Sequence, residues 1–245
     1  MLSKTSSRYL ALLEDSLLDN IYGSHSLIGN QGPVSAEDVN NGTYWPLRGH
    51  TMIGKRRLQN IHQCFLNVVS DNIPGDLIET GVWRGGACIY MKALVEVYGQ
   101  DRKVYVADSF KGLPNPDERY PQDANPEWVE LRPHLAISKA TVEENFKKYN
   151  LLDETVIFVE GWFEHSLAMA NINRLAILRL DGDMYSSTIQ VLDQLYDKVS
   201  SGGYIIIDDY NLPSCCSAVS DFRARRNITA PIIPIDGCGS FWRKL

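Results

Sequence analysis

The sequence predicts a doubly wound α/β fold on a mostly parallel sheet. Two observations carry that reading. Short apolar runs alternate with helix-length segments from residue 76 onward, and carboxylates stand at the ends of two of those runs. The runs cover 76–80, 103–108, 155–160, 175–181 and 203–208. The helices cover about 85–98, 138–150, 164–171 and 186–199. Each run is apolar or β-branched, and each helix is long enough to cross over to a parallel neighbour. The final stretch, TAPIIPIDGCGSFWRKL, reads as two strands joined by a glycine-containing turn. Such a hairpin places one antiparallel strand in the sheet.

Ahead of the sheet, Tyr9, Leu10, Leu13, Leu17 and Ile21 recur at helical spacing and predict an amphipathic helix over 5–22. Residues 23–50 are rich in Gly, Asn, Ser and Pro and read as a long loop, a feature usually functional or mobile. A second helix follows over 52–70. Residues 112–137 carry Pro114, Pro116, Pro121, Pro126 and Pro133 and interrupt the alternation, as an insertion or lid over the crevice would. The expected organisation is one domain, 1–245, with a helical cap over 1–70 and a core over 71–245.

Composition narrows the class. Hydrophobic residues make up 44% of 245, enough for a sizeable core. A net charge of −6 and a pI near 5.4 argue against a nucleic-acid surface. Five cysteines show no metal-type spacing, and an odd count with one adjacent pair suits reduced thiols in the cytosol. The N-terminal stretch carries Glu14, Asp15 and Asp19 and does not read as a signal peptide. No run approaches the ~18 apolar residues of a membrane span. A cytoplasmic protein without membrane or nucleic-acid partners is expected, and a homo-oligomer (dimer or tetramer) is left open. The sequons at Asn41 and Asn227 then read as chance.

The chemistry gathers at strand ends. LRLDGDMYSST places Asp181 and Asp183 after one apolar run, and GGYIIIDDYNL places Asp208 and Asp209 after another. Carboxyl ends of neighbouring parallel strands converge on the crevice where open α/β sheets bind ligands. Several carboxylates there call for a cation, and oxygen-only ligands suit Mg²⁺ or Mn²⁺. Any single Asp after a strand can instead cap a helix or serve a turn.

DLIETGVWRGGACIYM places Gly81, Gly85 and Gly86 in a turn directly after the first strand. The spacing is not the G-x-G-x-x-G of dinucleotide binders. Glu79 would repel a pyrophosphate but could hold an ammonium, and Arg84 could pair with a carboxylate. The second strand ends at Asp108, 27 residues after Gly81, where an acid typically takes ribose hydroxyls. Trp162 and Phe163, after the third strand, could flank an adenine or pack as core. Together these positions describe a nucleoside bearing an amino acid, which is S-adenosylmethionine.

The ordered set ETGVWRGGA, ADSFKGLP, EGWFEHSL, RLDGDMYSST and GGYIIIDDY resembles the TylF/MycF macrocin O-methyltransferase family, and GTYWPLRGHTMIGKRRLQN is similar to its N-terminal cap. The resemblance implies a Rossmann-like methyltransferase that uses S-adenosylmethionine and Mg²⁺ to methylate deoxysugar hydroxyls on natural products. It implies Glu79, Gly81 and Arg84 at the methionine moiety, Asp108 and Ser109 at the ribose, and Gly161 and Trp162 at the adenine. Asp181, Asp208 and Asp209 would hold the metal, with Asp181 also beside the cofactor, and Thr51, Met52 and Ile53 would cap the cofactor. Catechol-type Mg²⁺ methyltransferases have a lysine three residues after the first metal Asp; here that position is Met184, which disfavours a catechol.

A sugar hydroxyl is a very weak acid, so a base and an acidifying cation are both expected. Asp183 is the candidate base, with a cap on the helix after it as the other reading; His134 and His50 stand in reserve. Three rivals remain: a methyltransferase for phenols or other small hydroxylated metabolites, a non-catalytic cofactor-fold partner protein, and a nicotinamide oxidoreductase. The acidic set disfavours the second, and the glycine spacing and Glu79 disfavour the third.

Overall fold

The computed structural model describes residues 2–28, 32–125 and 127–245; Pro126 and residues 29–31 of the long loop lie outside them. Among the described residues seven strands form one sheet: β1 (Asp76–Thr80), β2 (Val104–Asp108), β3 (Val156–Glu160), β4 (Leu175–Leu180), β5 (Val199–Ile207), β6 (Ile233–Pro234) and β7 (Ser240–Arg243). Their spatial order is β3-β2-β1-β4-β5-β7-β6. Strands β1 to β5 are parallel, and β7 runs antiparallel to both β5 and β6. The chain steps outward from β1 to β3 and then returns to β4 on the other edge of β1. The order therefore reverses between β1 and β4, which opens a crevice at their carboxyl ends.

Helices cover both faces. One core packs α1 (Lys4–Leu17), α3 (Gly54–Ser70), α4 (Gly86–Val97) and α6 (Lys139–Lys148) against the sheet. The other packs α7 (Phe163–Met169), α8 (Tyr185–Leu195) and α9 (Pro213–Arg225), together with Trp242 of β7. Residues 86–95 of α4 are all buried, because α4 lies between the sheet and the cap helices α1 and α3. A mostly apolar helix is the form such a position requires, and its buried Lys92 is paired with Asp153 and Glu96. Two short helices remain, α2 (Ala36–Asn41) in the cap and α5 (Glu127–Leu135) in the insertion. No helix among the described residues is long and apolar enough to cross a membrane.

Four expectations need correction. Helix α1 stops at Leu17 rather than 22, because Asp19 turns the chain at φ 58° and its carboxylate accepts from the Arg48 backbone N–H and Nε. Of the predicted stripe, Leu10, Leu13 and Leu17 are buried while Tyr9 and Ile21 are exposed. The 23–50 loop contains α2, whose N-cap Ser35 accepts from the Asp38 N–H at 3.1 Å. Strand β5 begins at Val199, inside the stretch predicted as helix. Its pairing with β4 shifts between Leu175 and Ile177, and Gly202 takes a φ of 84° there, so the SSGG stretch bulges within the ladder.

Helix α9 was not predicted, although Cys215, Ala218, Val219 and Phe222 bury at helical spacing behind Pro213 at its start.

Candidate active site

The sheet's alternation builds the inner wall of the crevice. Glu79 and Arg179 are register partners on β1 and β4, and Arg179 pairs in turn with Ile206 of β5. Side chains two residues apart share a face. Gly81, Asp181 and Asp208 therefore follow on the same face, one step beyond the strand ends. Gly81 has no alternative there: a Cβ would sit 1.7 Å from the Asp181 carbonyl oxygen, at a φ of 86°.

Arg179, fully buried, is the hub of this corner. Its Nη1 donates to Glu79 and, at 2.9 Å, to Asp181 Oδ2, while its Nη2 donates to Asp208. A second guanidinium, Arg57 of α3, donates to the other Asp208 oxygen and to Asp236 Oδ2 at 3.0 Å. Its Nη2 reaches the Asn41 and Gly42 carbonyls at the end of α2. The end of α2, the end of β5 and the C-terminal hairpin thus meet on one guanidinium, that of Arg57. None of Arg179, Arg57 and Asp236 was singled out from sequence. A buried strand of pattern LAILRL that contains an arginine was the available signal for the first.

One oxygen each of Asp181, Asp208 and Asp209 lies within 4.8 Å of the others. Asp183 faces the same cleft, and its backbone N–H donates to Asp209 Oδ2 at 3.1 Å. Four carboxyl groups (Glu79, Asp181, Asp208 and Asp236) thus share two guanidiniums, and two more, Asp183 and Asp209, stand beside them without either. Their ionisation responds accordingly. Burial, then the Asp208 charge, pushes Asp181 up to about 6. Burial, then Asp181 and Asp208, pushes Asp183 up to about 7. Asp209 rises well above the carboxylate range through burial and then Asp183 and Asp181. Glu79 rises to about 7 through burial, with Arg179 opposing. Excess negative charge among oxygen donors is the environment a hard divalent cation fits.

The cleft encloses about 510 Å³. Thr51, Met52, Ile53, Glu79, Gly81, Asp108, Ser109, Gly161, Trp162 and the four aspartates line it. Asp108 is held by the Val82 and Phe110 amides at 2.8 and 2.7 Å. The segment containing Thr51 lies over the start of α4, whose Gly86 N–H donates to the His50 carbonyl at 2.9 Å.

Three predicted residues stand elsewhere. Arg84 is not in the lining: its Nη1 donates to the carbonyls of Pro46, Leu47 and Gly49, and its guanidinium lies 4.2 Å from the Trp83 ring centroid. It ties down the cap rather than facing the cleft. His134 is exposed outside the lining, edge-on to Trp45. His50 is also outside the lining; it bonds the Tyr149 hydroxyl at 2.8 Å, and burial, with Lys148 and Arg84, lowers it to about 4. Met184 is fully buried against Leu113 and Trp128, so it anchors the insertion instead of offering a base.

A doubly wound sheet of this order, with an antiparallel strand beside β5 and an acidic cleft at the switch point, defines a Rossmann-like methyltransferase. The macrocin-O-methyltransferase (TylF) family model matches residues 4–244, and the chain belongs to that family. It is similar to demethyldecarbamoylnovobiocin O-methyltransferase of Streptomyces niveus, 44% identical over an alignment of 246 positions that covers 98% of this chain and 94% of that protein. It is 42% identical over 243 residues to the 8-demethyl-8-(2,3-dimethoxy-alpha-L-rhamnosyl)-tetracenomycin-C 4'-O-methyltransferase of Streptomyces olivaceus, covering 96% of this chain and 92% of that protein. The structure of the O-methyltransferase NovP superposes with a TM-score of 0.93 at 45% identity, over 98% of this chain and 99% of that one. The protein is an S-adenosylmethionine-dependent O-methyltransferase.

Proposed function

We propose that the protein methylates a hydroxyl of a deoxysugar on a glycosylated natural product, with a divalent cation held by Asp181, Asp208 and Asp209. The observation that carries this reading is the acidic corner of the cleft, where one oxygen each of Asp181, Asp208 and Asp209 lies within 4.8 Å of the others and Asp183 lines the same space. The rhamnosyl substrate named for the Streptomyces olivaceus relative supports the acceptor class. When bound, the cation would acidify a ligated hydroxyl. Thr51, Met52, Ile53, Glu79 and Gly81 would receive the methionine end of the donor, Asp108 and Ser109 the ribose, and Gly161 and Trp162 the adenine. Arg84 would act indirectly, by holding the cap segment over this end. Residues 1–245 would work as one unit, with 1–70 as its cap.

Methyl transfer is an in-line displacement, so the chain's task is to orient the acceptor and remove its proton. Asp183 would take that proton. Its elevated proton affinity suits a base working near neutral pH. Asp183→Asn is expected to slow single-turnover transfer by roughly 10²-fold, the low end for a general base. A wild-type rate in that variant would remove Asp183 from the chemistry. The acceptor class is tested with labelled donor against glycosylated and phenolic acceptors, with Mg²⁺ and with EDTA. Labelling of phenols alone, or full activity in EDTA, counts against the reading.

Protons and cation compete for the same carboxylates. Asp181 and Asp183 are raised to about 6 and about 7 from 3.8. The folded protein therefore retains protons that the unfolded chain has lost between those values. Metal-free stability falls as pH rises through this window. The Mg²⁺-induced rise in melting temperature should accordingly be larger at pH 8 than at pH 5. Calorimetric scans showing a pH-independent rise, or none, contradict a metal at these residues.

A further inference from the structure

Helix α8 begins directly after the carboxylate loop 181–184, yet nothing local caps it. Its N-cap is Met184, which makes no side-chain cap bond. The cap comes from 62 residues away. Asp123, in a 3-10 turn of the insertion, is fully buried, and its two oxygens accept from the Tyr185 N–H at 2.6 Å and the Ser186 N–H at 2.9 Å. The helix start therefore does not draw on Asp183, which sits at a φ of 56° and faces the cleft. The Asp183 carbonyl is held separately by Ser214 Oγ at 3.0 Å. Two further contacts seat the insertion on the same loop: Trp128 and Leu113 against Met184, and the Tyr120 ring 5.9 Å from that of Tyr185.

We infer that Asp123 is a positioning residue for methyl transfer: it supplies the cap of α8 from the insertion and so sets the insertion's wall of the cleft, lined by Leu113, Pro114 and Tyr120, and the carboxylate loop in one geometry. The inference rests on the reading that this loop faces the acceptor. An unlinked wall and loop would let the acceptor oxygen drift relative to the groups that act on it, and small displacements of that kind are costly. On the proposed reading the donor would lie against the ends of β1, β2 and β3, so its binding should depend little on Asp123.

The test compares full-length Asp123→Ala and Asp123→Asn with wild type. S-adenosylhomocysteine affinity is read by calorimetry. Single-turnover transfer is read with demethyldecarbamoylnovobiocin as probe acceptor, well below the melting temperature of each variant. Hydrogen exchange is read over residues 182–190. Asp123→Ala should slow transfer roughly 10-fold or more, with S-adenosylhomocysteine affinity within about twofold of wild type and faster exchange at the start of α8. Asp123→Asn, which keeps one accepting oxygen, should recover part of the rate. A wild-type rate in Asp123→Ala overturns the inference. So does a loss of S-adenosylhomocysteine affinity as large as the loss of rate, or an Asn variant no better than Ala. Failure of Asp183 as the base shows separately, as a wild-type rate in Asp183→Asn, and leaves the Asp123 comparison readable.

Discussion

Asp209→Ala is expected to cut methyl transfer by more than about 100-fold, since even outer-shell partners of a metal cost 10–100-fold. S-adenosylhomocysteine affinity should stay near wild type, because on the proposed reading the cation would serve the acceptor oxygen. The structure separates two of the three candidate ligands by what else they hold. Among the described residues the Asp209 side chain accepts only the Asp183 amide, and burial and like charges press it toward its neutral form. Its removal should leave the metal-free protein as stable as wild type or more so, a loss of function without a loss of fold. Asp208 differs: each of its oxygens accepts from a buried guanidinium. Asp208→Ala should destabilise by about 3–5 kcal/mol, the cost of breaking a buried pair from one side. Urea denaturation beside single-turnover rates distinguishes them. Equal destabilisation by both variants, or transfer at the wild-type rate in Asp209→Ala, would be the wrong outcome.

Arg179→Met should be the most damaging single change to stability. It strips the shared cation from Glu79, Asp181 and Asp208, with the first and last almost fully buried. The loss expected is again about 3–5 kcal/mol or more, since uncompensated charge remains inside. Two features mark this mechanism. The deficit should shrink from pH 8 to pH 5, because orphaned carboxylates relieve their repulsion by taking protons. Arg179→Lys should rescue little, because one ammonium cannot reproduce a fork shared by three acceptors. A wild-type urea midpoint for Arg179→Met at pH 8 would sink the account.

Much of the fold was legible because its signals are local. Apolar runs as short as YIII and LAIL read as interior strands, and helix-length spacers between them favour parallel crossovers. Helix α2 was legible as well, through Ser35 three residues before Asp38, but the Gly- and Asn-rich composition around it pointed to loop. The SSGG stretch inside β5 misled for a related reason. Glycines mark turns, and here they mark a bulge within a strand that the neighbouring ladder keeps paired.

For the site, the sequence by itself determined which carboxylates stand at strand ends, because strand ends are set by short-range patterning and the switch-point crevice follows from strand order. The lining of one cleft by Thr51, Glu79, Asp108, Gly161 and the four aspartates is consistent with that reading. Only the tertiary structure decided what neutralises the carboxylates and what each nearby residue is free to do. Arg57 meets Asp208 across 151 positions, and Asp123 caps α8 across 62. Arg84 is drawn to three carbonyls of the cap, and His50 to a tyrosine 99 positions away. Partners so distant leave no periodicity or spacing along the chain. They are chosen by burial, which makes any unpaired charge or amide costly enough that the fold must bring a partner to it.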